Sequence, residues 1–199
     1  MGAAGRAVDL SEGAVRLSPL DLADVAPHLA GEDTELVRWL SGGTGTRRSV
    51  ENYIRRCMAQ WESGGPVHAF GIRVGPELAG TLEVQFDQPY LEAGEVNLSY
   101  GLYPEWRGRG LATRAVNLAG RYAAGQGAVR AVIRTEAGNR PSAAVALRAG
   151  YVRLHRSGAV GGEQYCWFVK DLASLEIENT DAPAETKPVP DAKGRWTAD

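Results

Sequence analysis

Polar and apolar residues alternate along Glu95–Leu102, and this period of two predicts a strand with one apolar face. Two β-rich runs at 67–74 and 78–86 flank a Gly-Pro-Glu turn and predict a hairpin. The chain therefore carries strand signals on both sides of its midpoint. Further strands are predicted at 14–17, 129–135, 151–156 and 164–172.

Apolar residues recur at helical spacing in the segments between these strands. Ser49 is the expected N-cap of a helix that runs to Trp61. Another helix begins near Gly110 and ends at Gly125, with Leu118 on its apolar stripe. Shorter helices are predicted from Asp21, over 35–40, and from Pro141 to Gly150.

These elements predict a single α/β (α+β) domain over residues 14–175. The chain has 199 residues and is 44% hydrophobic, which is enough for a sizeable core. Residues 1–13 are expected to form a flexible leader. Residues 176–199 are rich in proline, alanine and charge and poor in apolar residues, so we expect a disordered C-terminal tail.

Composition excludes several classes of function. The net charge of -2 argues against nucleic acid as a partner. The two cysteines and three histidines are scattered, so we expect neither a metal site nor a disulfide framework. We find no apolar run long enough to cross a bilayer and no signal peptide, which favours a cytoplasmic protein without a membrane partner. A monomer and a homodimer both stay open.

The stretch Arg107–Ala112 carries the strongest chemical signal. Gly108 and Gly110 free the backbone, so consecutive N–H groups can turn toward one anion. The helix that follows adds unpaired N–H groups and the positive end of its dipole. We therefore expect a phosphate-bearing ligand at this loop. An RNA-binding Arg-Gly element is an alternative that the slightly acidic chain disfavours.

Three segments, in order, resemble those of a known family. They are YGLYPEWRGRG at 100–110, NRPS at 139–142 and AGY at 149–151. With them the chain resembles the GCN5-related N-acetyltransferase (GNAT) superfamily, and within it the ribosomal-protein N-terminal acetyltransferase (RimJ/RimL-like) branch. The resemblance implies a central, mixed, mostly antiparallel twisted sheet of about seven strands flanked by about four helices.

The resemblance also implies acetyl-CoA as the donor and no metal. The pyrophosphate would lie on the glycine-rich loop and the helix start, and the pantetheine arm would pair with the preceding strand like an added strand. Asn139 would hydrogen-bond the same arm. The cofactor-binding residues implied in this way are Gly101, Leu102, Tyr103, Arg107, Gly108, Arg109, Gly110, Leu111, Ala112, Thr113 and Asn139.

Acetyl transfer to an amine needs a donor to the leaving thiolate and a contact for the oxyanion. Ser142 matches the serine that this branch uses as the acid, whereas Ala146 stands where the wider superfamily often has a tyrosine. A serine at this position is equally explained by its preference for a helix start. Backbone N–H groups near Leu102 are the candidates for the oxyanion contact.

The sequence leaves open which residue is the base that removes the amine proton. Many relatives carry a glutamate where this chain has Asn97. Glu95 shares the polar face of the same strand, and Glu83 lies on the neighbouring strand. Each is otherwise a solvated strand carboxylate. An amine that arrives neutral needs no base at all.

The acceptor is expected to be a primary amine, either a protein N-terminus or a small molecule such as an antibiotic or metabolite. Asn97, Tyr90 and Trp39 are candidates for binding it, although core packing also explains the two aromatic residues. The departures from the family pattern keep one alternative open, namely a non-catalytic acyl-CoA-binding or regulatory module.

Overall fold

The computed structural model describes residues 8–155, 159–160 and 163–172, which form a sheet with helices on both faces. The strands are β1 (Leu10–Glu12), β2 (Val15–Pro19), β3 (Val67–Val74), β4 (Glu77–Gln85), β5 (Glu95–Leu102), β6 (Arg130–Glu136), β7 (Val152–Leu154), β8 (Ala159–Val160) and β9 (Glu163–Asp171). The helices are α1 (Val25–Gly31), α2 (Thr34–Leu36), α3 (Arg47–Ser63), α4 (Leu111–Gly125) and α5 (Arg140–Arg148). Three short turns of other helical types lie at Leu22–Asp24, Val37–Ser41 and Pro104–Trp106.

Within the described residues the strands follow the order β1-β2-β3-β4-β5-β6-β9-β7, and β8 pairs with β9 beside this path. Neighbouring strands are antiparallel except β5 and β6, which are parallel. The predicted mixed, mostly antiparallel α/β architecture is confirmed. The sheet is wider than the expected seven strands because the short strands β1 and β8 extend it. No helix in this part of the chain is long and apolar enough to span a membrane.

The prediction of a flexible leader over residues 1–13 is wrong for residues 10–12. Leu10–Glu12 form β1, which pairs with β2 in the register Leu10↔Leu17. Three residues are too few to show a period of two, so the hydrophobic pattern carried no strand signal there. Residues 1–7, 156–158 and the tail predicted at 176–199 lie outside the described residues.

Two apolar layers hold the helices to the sheet. One face packs against α4 and α5 and contains the fully buried Phe70 and Ile133. The opposite face packs against α1 and α3 through Ala69 and Ile54. Ala69 and Phe70 are consecutive in β3, so strand alternation sends them to different layers. Burying a large aliphatic or aromatic side chain of this kind contributes about 1.5–3 kcal/mol.

The start of α3 differs from the sequence prediction. Thr46, not Ser49, is the N-cap, and its hydroxyl accepts from the Ser49 N–H at 3.2 Å. The Ser49 hydroxyl in turn accepts from the Thr46 N–H at 2.8 Å, so the two residues cap each other. Ser49 therefore sits in the first turn. The predicted cap at Asp21 is confirmed, because its carboxylate accepts from the Ala23 N–H at 2.7 Å.

His68 lies in an aromatic cluster at the end of α3. Its ring stacks on Trp61 with the centroids 4.4 Å apart, and its Nδ1 shares a 2.7 Å hydrogen bond with the Tyr122 hydroxyl. Burial lowers the pKa of His68, and burial likewise lowers the pKa of His28. Around the ordinary histidine pKa of about 6.5, the unfolded chain therefore binds protons that the folded chain does not.

We expect the free energy of unfolding to fall as the pH drops through about 6.5 toward the lowered folded-state pKa values. His68→Gln should make this fall shallower, because it removes one of the two half-buried histidines whose pKa is lowered. Denaturant unfolding across this pH range measures the slope. His155→Gln is the matched control, since His155 is exposed. Equal slopes in the two variants would contradict the assignment.

Candidate active site

A cleft opens where β5 and β6 separate. The strands are paired in parallel only up to Asn97↔Val132. Beyond this point β5 continues to Leu102 and β6 to Glu136 without pairing to each other. The facing edge of β5 thus presents backbone groups to the cleft, where an extended ligand can pair with them.

The cleft has a volume of about 970 Å³. Its walls come from β5, β6, the starts of α4 and α5, and the turn at Val37–Ser41. The cleft brings together most of the residues predicted from the sequence. These are Trp39, Tyr90, Asn97, Gly101, Leu102, Arg107, Gly108, Gly110, Leu111, Ala112, Thr113, Asn139 and Ser142.

The glycine-rich loop forms an open cradle at one end of the cleft. Gly108 and Gly110 have φ angles of 75° and 73°, a backbone conformation that favours glycine. A Cβ atom at either position would meet no atom within 4 Å, so the space beside the loop is open. Gly110 is the N-cap of α4, and no side chain caps this helix. The first N–H groups of α4 are therefore suited to an anion.

The Arg107 side chain, one of the implied cofactor-binding residues, is paired with carboxylates. Its guanidinium donates to both Asp33 oxygens at 2.8 Å and to Glu35 at 2.7 Å, and its Nε donates to the Leu102 carbonyl at 2.9 Å. This contact holds the pKa of the Asp33 carboxyl below its ordinary value. The Arg107 N–H donates to the Pro104 carbonyl at 3.3 Å. Arg107 thus ties the loop to the start of α2.

Two residues of the predicted cofactor-binding set, Tyr103 and Arg109, lie outside the cleft. Arg109 is exposed and lies over the Trp106 ring at 5.3 Å. The Tyr103 N–H donates to the Ala79 carbonyl at 2.9 Å, and the Tyr103 hydroxyl shares a 2.9 Å hydrogen bond with His28. The Tyr103 ring packs against α1, so the expectation that Tyr103 pairs with pantetheine is corrected to a packing role.

Asn139 and Ser142 form the start of α5. Asn139 is the N-cap, and its Oδ1 accepts from the Ser142 N–H at 3.1 Å. Ser142 follows three positions later, and its hydroxyl takes no part in this capping. The Ser142 Oγ instead lies 3.1 Å from the Tyr100 hydroxyl. Helix initiation therefore does not account for the Ser142 hydroxyl.

Tyr100 is a cleft residue to which the sequence assigned no chemical role. Its hydroxyl reaches across the cleft from β5 to α5 and contacts both Oγ and the carbonyl of Ser142, each at 3.1 Å. Burial raises the pKa of Tyr100 to about 12, so the hydroxyl keeps its proton at neutral pH. Ala146, at the family's usual tyrosine position, is fully buried. A tyrosine on the apolar face of a strand could have indicated this contact in the sequence, because a buried hydroxyl needs a hydrogen-bond partner.

A chain of hydrogen bonds crosses the polar face of β4 and β5. Tyr53 donates to one Glu83 oxygen at 2.8 Å, and Gln85 Nε2 donates to the other at 2.7 Å. Asn97 Nδ2 donates to Gln85 Oε1 at 2.9 Å. Burial raises the pKa of Tyr53 well above its ordinary value, so Tyr53 remains a donor to Glu83.

A second cavity of about 510 Å³ adjoins the cleft. Glu83 lines it, together with His28, Glu32 and Tyr53. Residues of β4 and β5, among them Gln85, Ser99 and Tyr100, line both spaces. Tyr100 thus lines both spaces, whereas Glu83 lines the second cavity and is joined to the cleft through its hydrogen bond with Gln85.

Glu95, the other predicted base, lies outside both spaces. It is 4% exposed, and its carboxylate accepts from the Glu92 N–H at 3.0 Å and from Arg130 at 3.4 Å. It stands at the paired end of β5, before the strands separate. The structure favours a structural role for Glu95 over a catalytic one.

Trp39 and its neighbours cover the open part of β5. Leu36 and Leu40 fill the space beside Gly101, where a Cβ atom would collide with their side chains. The Trp39 ring reaches Gly138, just before the start of α5. Trp39 therefore spans the cleft, where an acceptor-binding residue is expected.

A family model described as an acetyltransferase (GNAT) domain matches residues 14–152. The chain belongs to the GNAT acetyltransferase family. The family expected from the three sequence segments is thereby confirmed. No curated protein matches the sequence.

Solved GNAT structures share the fold of this chain. Mycobacterium smegmatis RimJ in complex with CoA-disulfide is 20% identical, with a TM-score of 0.67 over 83% of this chain and 86% of its own. A Salmonella typhimurium acetyltransferase that modifies the N-terminal serine of ribosomal protein L7/L12 is 16% identical, with a TM-score of 0.68 over 80% and 96%. The Vibrio fischeri ribosomal-protein-S5-alanine acetyltransferase is 17% identical, with a TM-score of 0.67 over 85% and 100%.

Family membership makes this GNAT protein an acetyltransferase with acetyl-CoA as the donor. The open cradle at Gly108 and Gly110 and the unpaired edge of β5 fit a ligand with a pyrophosphate and an extended arm. Among the described residues, no group of three or more His, Cys, Asp or Glu side chains is arranged to hold a metal ion.

Proposed function

We propose that this GNAT protein transfers the acetyl group of acetyl-CoA to a primary amine, either a protein N-terminus or a small molecule. The observation that supports transfer chemistry is the hydroxyl pair of Ser142 and Tyr100 in the cleft. A donor pair at this position serves a leaving thiolate, whereas a module that only binds acyl-CoA needs none. The ribosomal-protein acetyltransferases with the same fold favour a protein N-terminus as acceptor.

The chain's own residues would hold the donor along the cleft. The N–H groups from Gly108 to Thr113 bind the pyrophosphate, and the free edge of β5 near Gly101 and Leu102 pairs with the pantetheine arm. When bound, acetyl-CoA supplies the activated acetyl group. Ser142 donates a hydrogen bond toward the sulfur, and Tyr100 holds the Ser142 hydroxyl in place. Asn139 positions Ser142 by capping α5.

Glu83 is the base in this proposal. Its carboxylate lines the second cavity and is held by Tyr53 and by Gln85, and Gln85 lines both spaces. Among the described residues Tyr53 donates to one oxygen and Gln85 to the other, so each oxygen keeps a further lone pair for an ammonium group or a bridging water. Glu83 therefore draws the protonated amine toward the reacting centre and accepts its proton.

Thiol release from acetyl-CoA tests the function directly. The panel comprises peptides with free N-termini, the same peptides with blocked N-termini, and small primary amines. We expect release that depends on a free amine, with acetylated product seen by mass spectrometry. Binding of acetyl-CoA without amine-dependent release would instead support the acyl-CoA-binding module.

Glu83→Gln is expected to lower kcat/KM at neutral pH by about 10²-fold and to remove one ionisation from the acidic limb of the pH–rate profile. The amide keeps the shape of the side chain but cannot take a proton. His28→Gln is the control, because His28 is another titratable residue that lines the same cavity. An unchanged acidic limb in Glu83→Gln would show that the amine arrives neutral or uses another base.

A further inference from the structure

Arg134 is a cation in the cleft that the transfer chemistry leaves unused. It lies on β6 opposite Trp167 of β9 and lines the cleft. Its guanidinium carbon lies 3.9 Å from the ring centroid of Tyr90, 4.4 Å from that of Tyr165 and 5.8 Å from that of Trp167. We call Arg134 and these three rings the Arg134 cage.

The cage surrounds the guanidinium with ring contacts and leaves its N–H donors for another group. Rings pack on the planar face of a guanidinium, whereas its five N–H groups radiate in the plane. Among the residues that the structure describes, no carboxylate or other acceptor is paired with Arg134. Glu136 shares its strand and lines the same cleft but is not among its partners. By contrast, Arg73 and Arg107 are each paired with a carboxylate.

A buried acceptor without a partner lies on the same face of the sheet. Glu83 can only accept, so Gln85 must turn its Nε2 to Glu83 and its Oε1 to Asn97. Asn97 therefore uses Nδ2 for this bond. Its Oδ1 is buried and has no hydrogen-bond partner, and the residue is only 5% exposed. A buried carbonyl without a partner costs about 1–3 kcal/mol, so a ligand donor at this point is favourable.

The two groups are close along the strands. Asn97 of β5 is in register with Val132 of β6, and Arg134 follows Val132 by two residues on the same face. Both side chains line the cleft where the strands separate. One bound molecule can thus donate a hydrogen bond to Asn97 and place a planar anionic group against Arg134.

We propose that the amine substrate carries a carboxylate, which Arg134 binds through its N–H fork. An N–H group of the same substrate donates a hydrogen bond to Asn97 Oδ1. The inference rests on the proposed function and narrows its substrate class. A carboxylate matches the planar fork of arginine with two parallel hydrogen bonds. The carboxylate comes either from a free amino acid or from an acidic side chain near a protein N-terminus.

Two matched pairs of acceptors test the proposal and separate the two sources. One pair is alanine and alaninamide, and the other is the C-terminally amidated dipeptides Ala-Asp and Ala-Asn. We expect the wild type to prefer the carboxylate member of at least one pair. Arg134→Gln should lower kcat/KM for that member about 10- to 100-fold, mainly through KM, and leave the neutral member nearly unchanged.

Two further variants separate recognition from packing. Arg153→Gln removes an exposed arginine of β7 that lines neither cavity, and it should behave as the wild type. Arg134→Lys keeps the charge but loses the fork, and its loss should be intermediate. An equal loss for both members of each pair in Arg134→Gln, as a merely structural cation would produce, overturns the proposal. The absence of any carboxylate preference in the wild type does so as well.

A binding measurement keeps this inference distinct from the proposed function. In the presence of CoA, N-acetylalanine or the N-acetylated Ala-Asp amide should raise Tm, whereas the corresponding neutral product should not. Arg134→Gln should abolish that rise. If no amine is acetylated but the rise occurs, the catalytic proposal fails and the carboxylate site stands. If acetylation proceeds without any such rise or preference, the carboxylate site fails and the catalytic proposal stands.

Discussion

Ser142→Ala is expected to lower kcat about 10- to 100-fold while the Kd for acetyl-CoA stays near that of the wild type. The hydroxyl is the group on α5 that faces the sulfur in the proposed arrangement, and proton donation by a positioned side chain contributes about 10²–10⁴-fold. The helix itself should survive the change, because Asn139 caps it through the backbone N–H of residue 142. Single-turnover rates and equilibrium binding separate the two quantities.

Tyr100→Phe extends the same test to the partner hydroxyl. It removes the 3.1 Å contact with Ser142 Oγ but keeps the ring. We expect a smaller loss in kcat than for Ser142→Ala, since Tyr100 acts through Ser142. Ser63→Ala is the control, because Ser63 is an exposed helix serine that binds the carbonyl of Ala59 outside both cavities. Unchanged turnover in Ser142→Ala would remove Ser142 from the mechanism.

Gly110→Ala is expected to raise the Kd for acetyl-CoA about tenfold or more, equivalent to about 1.4 kcal/mol or more. Gly110 has a φ of 73°, and placing a side chain in this conformation costs about 1–2 kcal/mol. The loop can relieve that strain by turning its N–H groups away from their common direction. Because those N–H groups form the cradle, relief of the strain weakens anion binding. Isothermal titration with acetyl-CoA and with CoA measures the effect.

Gly64→Ala is a closely matched control for this change. Gly64 has a φ of 64°, and a Cβ atom there would also meet nothing within 4 Å. It ends α3 and lines neither cavity. Both variants should lose similar stability on thermal unfolding, but only Gly110→Ala should lose affinity. Equal affinity in the two variants would show that the glycine-rich loop does not bind the pyrophosphate.

Much of the fold was readable from local patterns. The alternation in Glu95–Leu102 and the hairpin of β3 and β4 have the predicted bounds to within about one or two residues, because period and turn chemistry act over a few neighbours. The N-cap at Asp21 was predictable for the same reason, because capping joins residues only two or three positions apart. Where several caps were chemically possible, as at Thr46 and Ser49, the pattern alone chose wrongly.

In the candidate site, too, the local features were predictable from the sequence and the long-range contacts were not. The glycine-rich loop and its helix were visible in the sequence, because the two glycines and the helix start are contiguous. The ion pair of Arg107 with Asp33 joins residues 74 positions apart, and the contact of Tyr100 with Ser142 joins residues 42 apart. No local period reports such contacts. The sequence therefore marked Arg107 as a ligand for the anion and missed the hydroxyl of Tyr100.

By itself, the sequence determined the order of the elements, the position of the glycine-rich loop before a helix, and the family to which the chain belongs. Only the tertiary structure decided which side chains meet at the cleft. It places Tyr103, Arg109 and Glu95 outside the cleft. Strand pairing and helix packing bring together groups that are distant along the chain. That is why the tyrosine at the serine, the carboxylate beside the cleft and the Arg134 cage emerge only in three dimensions.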